Sequence, residues 1–304
     1  MYPRKALVVE LAGGLGNQLF QYFAGLFISQ KLGRKLVLDV RFAQYSHSEF
    51  DITSFNFPEK FLKDSSALLN WVRKRKRYIF DVLRNRSSFF NFIYTKTFQQ
   101  HCFIGTETIE EVIKVSQNSR RLTGYFANKH FITELQRTTK RLELELKNPS
   151  DWFQRLSAEA SIRRPVMVHV RRGDFKDDSD YYGLLSEHYY AHILKNISTE
   201  ITSRGIWIFS DEPELVSDWE LWKAFPVNFI NQIDSEKADP AEFLKLMSLG
   251  GALIIGNSSF SYFAGIFTSM NSNIYCPDPP MKGVSSDPDV IYPSNWIRVQ
   301  AQWQ

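Results

Sequence analysis

Residues 6–39 read ALVVELAGGLGNQLFQYFAGLFISQKLGRKLVLD, and this run decides the fold. ALVVEL, residues 6–11, is a mostly apolar run of the length of a buried strand. The loop AGGLGN follows, too rich in glycine to extend a strand or a helix. QLFQYFAGLFISQKLG then carries apolar residues at helical spacing and stops at Gly33, a residue suited to a helix C-terminus. KLVLD, residues 35–39, is a second strand. Strand, helix and strand in succession predict a parallel β-α-β unit.

The alternation continues along the chain. RLTGYF (121–126) reads as a strand, FITELQRTTKRLELEL (131–146) as an amphipathic helix, and KNPSDW (147–152) as a helix stop followed by a new N-cap. PVMVHV (165–170), GIWIFSD (205–211), VNFIN (227–231), ALIIG (252–256) and NIYC (273–276) are strands. Helices are expected over EHYYAHILKNISTEI (187–201), DPAEFLKLMSLGG (239–251) and FSYFAGIFTSM (260–270). In the second of these Asp239 caps, Pro240 takes the first helical position, Glu242 stands where a capping box needs it, and two glycines end the run. The expected fold class is α/β, with two Rossmann-like doubly wound domains over residues 1–157 and 158–304. Residues 61–100 mix basic and aromatic side chains. They read either as a helical region with a solvated basic face or as a surface that meets an anionic membrane or acceptor.

A chain of 304 residues, 43% apolar and 23% charged, is long enough for two cores and is not of disordered composition. Its formal net charge of +4 is too mild for a nucleic-acid binder and suits local handling of a small anion. Cys102 and Cys276 are far apart in sequence, so neither a disulfide framework nor a zinc site is expected. No apolar run has the length of a membrane span, and no signal-peptide layout opens the chain. The expected location is cytoplasmic, with a peripheral contact at the inner face of the cell membrane.

Ligands of open α/β sheets gather at the carboxyl ends of strands, and four loops with unusual chemistry fall there. GGLGNQ (13–18) offers backbone N–H groups and a helix N-terminus to an anion; a tight turn that needs glycine for its shape accounts for the same residues. Gly14 and Gly16 fill two places of the dinucleotide fingerprint and Asp39 stands downstream, but Leu19 holds the third. VHVRRGD (168–174) sets Arg171 and Arg172 side by side at a strand end; one can grip phosphate bidentately while the other pairs with Asp174 or faces solvent, and a surface arginine pair with a local salt bridge accounts for the same residues. DFKDDSD (174–180) contains Asp178-Ser179-Asp180, a D-x-D pattern that suits a divalent metal or a solvated acidic loop. GNSSFS (256–261) places small hydroxyls at a strand-to-helix turn, where they cap a helix or donate to phosphate.

Together, ELAGGLGNQLFQYFAGLFIS, LGRKLVLD, VHVRRGDF, IFSDEPE and LMSLGGALIIGNSSFSYFAGIF look like the bacterial alpha-1,2-fucosyltransferases, glycosyltransferase family 11. The resemblance runs from about residue 8 onward and is weakest over 45–120. It implies a GT-B fold, with two Rossmann-like domains facing a cleft. The C-terminal domain would bind GDP-fucose and the N-terminal domain a galactose-terminated glycan. L-Fucose would pass from GDP-β-L-fucose to a galactose 2-hydroxyl with inversion, with no metal and no other cofactor. By the same resemblance Arg171 grips the diphosphate and His169 shapes its pocket. Gly14, Gly16, Asn17, Gln18, Asp211, Glu242, Asn257, Ser258, Ser259 and Phe260 complete the donor site. Catalytic work falls on Arg171, His169 and Asp174, with Asp177, Asp178 and Glu187 as further candidates for the base. The setting implied is carbohydrate metabolism, O-antigen biosynthesis in particular. The chain departs from the family at Phe243, where an acidic residue is usual, and at Tyr262 and Phe263, which replace a tryptophan pair.

Three other readings use part of the same residues. A metal-dependent glycosyltransferase would rest on Asp178 and Asp180. An NAD-dependent oxidoreductase would rest on Gly14, Gly16 and Asp39, and leaves the arginine loop unexplained. The third is a non-catalytic sugar-binding module; the aromatics, 15% of the chain, could line a sugar or base site or fill cores.

Overall fold

The computed structural model describes residues 6–40, 52–62, 100–103, 108–138, 143–230, 239–269, 271–283 and 287–304. The chain forms two compact units, Met1–Thr53 with Phe57–Leu142 and Ser54–Asn56 with Glu143–Gln304. The division expected at residue 157 falls inside the helix Asp151–Arg163. The basic and aromatic stretch over 61–100 lies almost wholly outside the described residues. Among the described residues no helix is long and apolar enough to cross a membrane.

The first unit is built on a parallel sheet of β1 (Ala6–Glu10), β2 (Lys35–Asp39), β3 (Lys60–Leu62), β4 (Gln100–Phe103) and β5 (Arg121–Gly124), ordered β3-β2-β1-β5-β4. Among the described residues its helices are α1 (Leu15–Leu32), α2 (Ile109–Asn118) and α3 (Lys129–Thr138). Every residue of β1 is buried, as expected of a central parallel strand. Helix α1 starts at Leu15, so Gly16 and Asn17 belong to its first turn and not to the preceding loop. Its C-terminus closes on Gly33 in the left-handed region (φ 59°), whose N–H reaches Gln30 O while that of Arg34 reaches Ser29 O. A Cβ at Gly25 would lie 2.7 Å from Val9 Cγ2, so the close helix–strand approach for which the dinucleotide fingerprint uses its third glycine is made one turn and a half further along. The helix expected over 131–146 is shorter: α3 ends at Thr138, and Leu146 forms an isolated antiparallel bridge with Phe55.

The second unit is built on a parallel sheet of β6 (Val166–Val170), β7 (Ile206–Ser210), β8 (Val227–Phe229), β9 (Ala252–Ile254), β10 (Asn273–Asp278) and β11 (Ile297–Gln300). The order is β11-β10-β9-β6-β7-β8. Its helices are α4 (Asp151–Arg163), α5 (Glu187–Asn196), α6 (Thr199–Thr202), α7 (Pro213–Ser217), α8 (Pro240–Met247), α9 (Ser259–Phe267) and α10 (Pro288–Ile291). Val166, Val168 and Val170 pack with Ile206, Ile208 and Ile254 against Tyr189, Tyr190, Ile193 and Leu194 of α5. Met167 and His169, which alternate with those valines, are buried as well, so β6 is covered on both faces. From β6 the chain runs outward through β7 to β8, then returns to β9 on the other side of β6. The topological switch point, where ligands of such sheets bind, is therefore the carboxyl end of β6 and β9.

Two N-caps anticipated from sequence form, with changed partners. Ser150 Oγ accepts from Phe153 N at the start of α4, and Asp239 Oδ1 accepts from Ala241 N at the start of α8. Glu242 closes no box on Asp239. It is buried, and its carboxylate accepts from Ser150 N at 2.5 Å and from Ser150 Oγ at 2.9 Å, tying α8 to the first turn of α4. Glu242→Ala is expected to cost about 1–2 kcal/mol, because it strands two part-buried donors at a helix start. Urea unfolding of the variant beside the parent checks this, and a change within error would contradict it.

Candidate active site

At the switch point the two loops touch. The peptide after β9 passes so close to the end of β6 that a Cβ at Gly256 would lie 3.2 Å from His169 O, 3.6 Å from Arg171 N and 3.7 Å from His169 Nδ1. A side chain there would push the β9 loop and the His169 carbonyl apart by a few tenths of an ångström. The loop leads directly into α9: Ser258 is its N-cap and accepts from Phe260 N at 3.2 Å, with Ser259 in the first helical position. Ser258, Ser259 and Phe260 are all half-buried. Asn257 is buried and donates from Nδ2 to Tyr182 O and Gly183 O, while its Oδ1 has no hydrogen-bond partner among the described residues. His169, Arg171, Asn257, Ser258, Ser259 and Phe260, assembled here, were all singled out from sequence.

Arg171 is held on both arms of its guanidinium. Nη1 meets Asp211 Oδ2 at 2.8 Å and Nη2 meets Asp174 Oδ1 at 2.5 Å. Its Nε is buried without a hydrogen-bond partner among the described residues. The guanidinium carbon lies 5.5 Å from the centroid of Phe175, whose other neighbour is the stacked ring of Tyr182 at 4.4 Å. Asp174 thus pairs with Arg171, not with Arg172 as the sequence suggested. Arg172 turns the other way, with Nε 3.5 Å from Glu212 Oε2 and Nη1 donating to Gln304 Oε1 at 3.1 Å. Lys176 also pairs with Glu212. Adjacent residues at a strand end point to opposite sides, so the two arginines divide between the ligand crevice and a structural anchor.

Asp211, at the end of β7, does more than face Arg171. Its Oδ1 accepts the Arg172 N–H at 2.9 Å, so the carboxylate spans the backbone of one arginine and the side chain of the other. Gly173 makes the room: a Cβ there would overlap Asp211 Oδ2 and lie 3.2 Å from its carboxyl carbon.

His169 sits at the floor, its ring centroid 5.8 Å from that of Phe260. Burial, reinforced by the neighbouring Arg171 charge, pushes its pKa down to about 3. The imidazole is therefore neutral at physiological pH. In the unfolded chain it takes a proton near pH 6.5. Folded-state stability tied to it is complete above that pH and is lost as pH falls toward 3. The parent should therefore lose about 1.4 kcal/mol more than His169→Gln for each pH unit below 6, read from urea midpoints between pH 6 and 4.5. Parallel pH dependences of parent and variant would contradict this.

The other sequence-predicted residues have different surroundings. In the first unit Gly14 is the exposed N-cap of α1, Gly16 is buried and Asn17 is half-buried. The left-handed residue of that loop is Gly13, with φ 77°. Gln18 is fully buried, its Nε2 donating to Gly13 O and its Oε1 accepting from Ile52 N, so it braces the loop from behind instead of facing a ligand. Gln21 Oε1 accepts from Ala12 N in the same way, a bracing role that the helical pattern concealed. Asp39 is fully buried and its Oδ2 meets Arg121 Nη1 at 2.7 Å, which removes it from the ribose role an oxidoreductase would need. Asp178 and Asp180 are exposed on a turn, and no three His, Cys, Asp or Glu side chains gather among the described residues. Glu187 Oε1 accepts from Leu221 N.

The adjoining loops after β6 and β9 therefore offer a braced guanidinium, small hydroxyls and a helix N-terminus, a set suited to a phosphate-bearing ligand. The chain is similar to known proteins. The chain is 24% identical to an Escherichia coli alpha-1,2-colitosyltransferase over 97% of this chain and 99% of the relative. It is 25% identical to the Escherichia coli O-antigen biosynthesis glycosyltransferase WbnK over 87% and 91% of the two chains. A mutant of Arabidopsis thaliana FUT1 in complex with GDP superposes with a TM-score of 0.52 at 14% identity, over 94% of this chain and 73% of that one. That likeness is one of fold, and the fold is GT-B-like, with two Rossmann-like doubly wound domains. The model of glycosyl transferase family 11 matches residues 6–300, nearly the whole chain, and on that match this protein is a glycosyltransferase belonging to glycosyl transferase family 11.

Proposed function

We propose that the chain transfers L-fucose from GDP-β-L-fucose to the 2-hydroxyl of a terminal galactose, with inversion and without a metal. The observation that carries this is the contact of the Gly256 loop, which leads into Ser258 and Ser259, with the backbone of His169 and Arg171 at the switch point of the second sheet. Breaking the fucosyl–phosphate bond leaves positive charge on the sugar ring and the bonding electron pair on the diphosphate. Arg171, the Ser258 and Ser259 hydroxyls and the N-terminus of α9 are aimed where that negative charge grows. Neutral His169 gives the pocket its shape without adding charge. The galactose 2-hydroxyl attacks the opposite face of the anomeric carbon and loses its proton late. Asp174 is the carboxylate closest to Arg171 and is assigned as the acceptor of that proton.

The colitosyltransferase relative favours a second donor reading, in which colitose takes the place of fucose. Released nucleotide measured for each GDP-sugar with lactose present separates the two. Turnover with GDP-fucose, undiminished in excess EDTA, is the expected result. Activity with a colitosyl donor alone would replace the sugar and keep the site, whereas loss in EDTA that manganese restores would overturn the metal-free reading.

A further inference from the structure

The two carboxylates on Arg171 are unequal. Asp211 is fixed at both oxygens, by Arg171 Nη1 and by the Arg172 N–H, and its side chain is 25% exposed. Asp174 holds Arg171 Nη2 through a single oxygen, and its side chain is 67% exposed. It follows Gly173 in a short 3₁₀ turn, Gly173–Lys176, with no second partner on its carboxylate among the described residues. A guanidinium directs Nη2 and Nε along one edge, and Nε of Arg171 has no hydrogen-bond partner among the described residues. An arriving phosphate that took this edge would meet Asp174 already on it.

We propose that Asp174 is a placeholder for the donor's phosphate: it occupies the ligand edge of Arg171 in the empty site, and the diphosphate displaces it. Asp211 keeps the opposite arm throughout, so the guanidinium stays aimed while its ligand edge changes partner. Two consequences follow. Asp174 weakens donor binding, because each binding event must break its ion pair. Its carboxylate is also released toward the reacting atoms only once the donor has arrived. This deepens the proposed function and rests on its claim that Arg171 grips the diphosphate.

The test is calorimetric titration of the whole protein with GDP, comparing Asp174→Asn, Asp180→Asn and Arg171→Ala with the parent. Exposed ion pairs of this kind convert into binding changes of up to about fivefold. Asp174→Asn is therefore expected to bind GDP about two- to fivefold more tightly, with a lower kcat. Asp180→Asn removes the same charge from an exposed position of the same loop and is expected to match the parent in GDP affinity. Equal tightening in both variants would reduce the effect to overall charge and overturn the placeholder. Unchanged or weaker binding by Asp174→Asn, with Arg171→Ala unable to bind, would overturn it too while leaving Arg171 as the phosphate grip. Parent-like GDP binding by Arg171→Ala would instead remove the reading on which the inference stands.

Discussion

Arg171→Ala is expected to lower kcat/KM by about a hundredfold or more while the protein stays folded. Losing a preorganised donor to a developing oxyanion typically costs about 3 kcal/mol or more, and the proposed function gives that role to Arg171, which follows β6 at the switch point of the second sheet. The fold should tolerate the change, because the side chain is part-exposed and its partners Asp174 and Asp211 both have access to water. Arg171→Lys should recover little of the lost rate. Its point charge can reach one oxygen but cannot hold Asp211 with one arm and a phosphate with the other edge. Steady-state kinetics with circular dichroism on both variants checks this, and a lysine variant within threefold of the parent would refute the need for a fork.

Gly173→Ala should cost nearly as much, though residue 173 offers no functional group. The added methyl overlaps Asp211 Oδ2, so the carboxylate must leave its place between Arg171 Nη1 and the Arg172 N–H. Without that support the guanidinium moves, and a misplacement of about 1 Å costs roughly a hundredfold in rate. Because glycine and aspartate act through one contact, the double variant Gly173→Ala with Asp211→Asn should be little slower than either single variant. Rate losses that multiply would show that the two residues act independently.

The fold was legible wherever strands and helices are long and apolar. Helix α1 and strand β6 are buried nearly throughout, and residues of that kind can be read without their neighbours. Short elements were legible only where apolar neighbours extend them, as VNFIN does for β8 and ALIIG for β9; β3 and β11 offer only KFL and IRVQ, too few residues for a period to emerge. Helix α2 was missed although its capping box, Thr108 with Glu111, is written in the sequence. The residues of the site were legible as strand-end loops, but their pairings were not. Which arginine Asp174 would meet depends on which way β6 turns at its last residue. The task of Glu242 depends on Ser150, ninety-two positions away, and no local pattern carries that contact.

The most direct test of the central claim is a crystal structure of the protein with GDP. The account predicts the diphosphate at the carboxyl ends of β6 and β9, its oxygens within about 3.5 Å of Arg171 Nη2 and no metal ion on them. A diphosphate lying away from residue 171, or held there by a divalent cation, would contradict it.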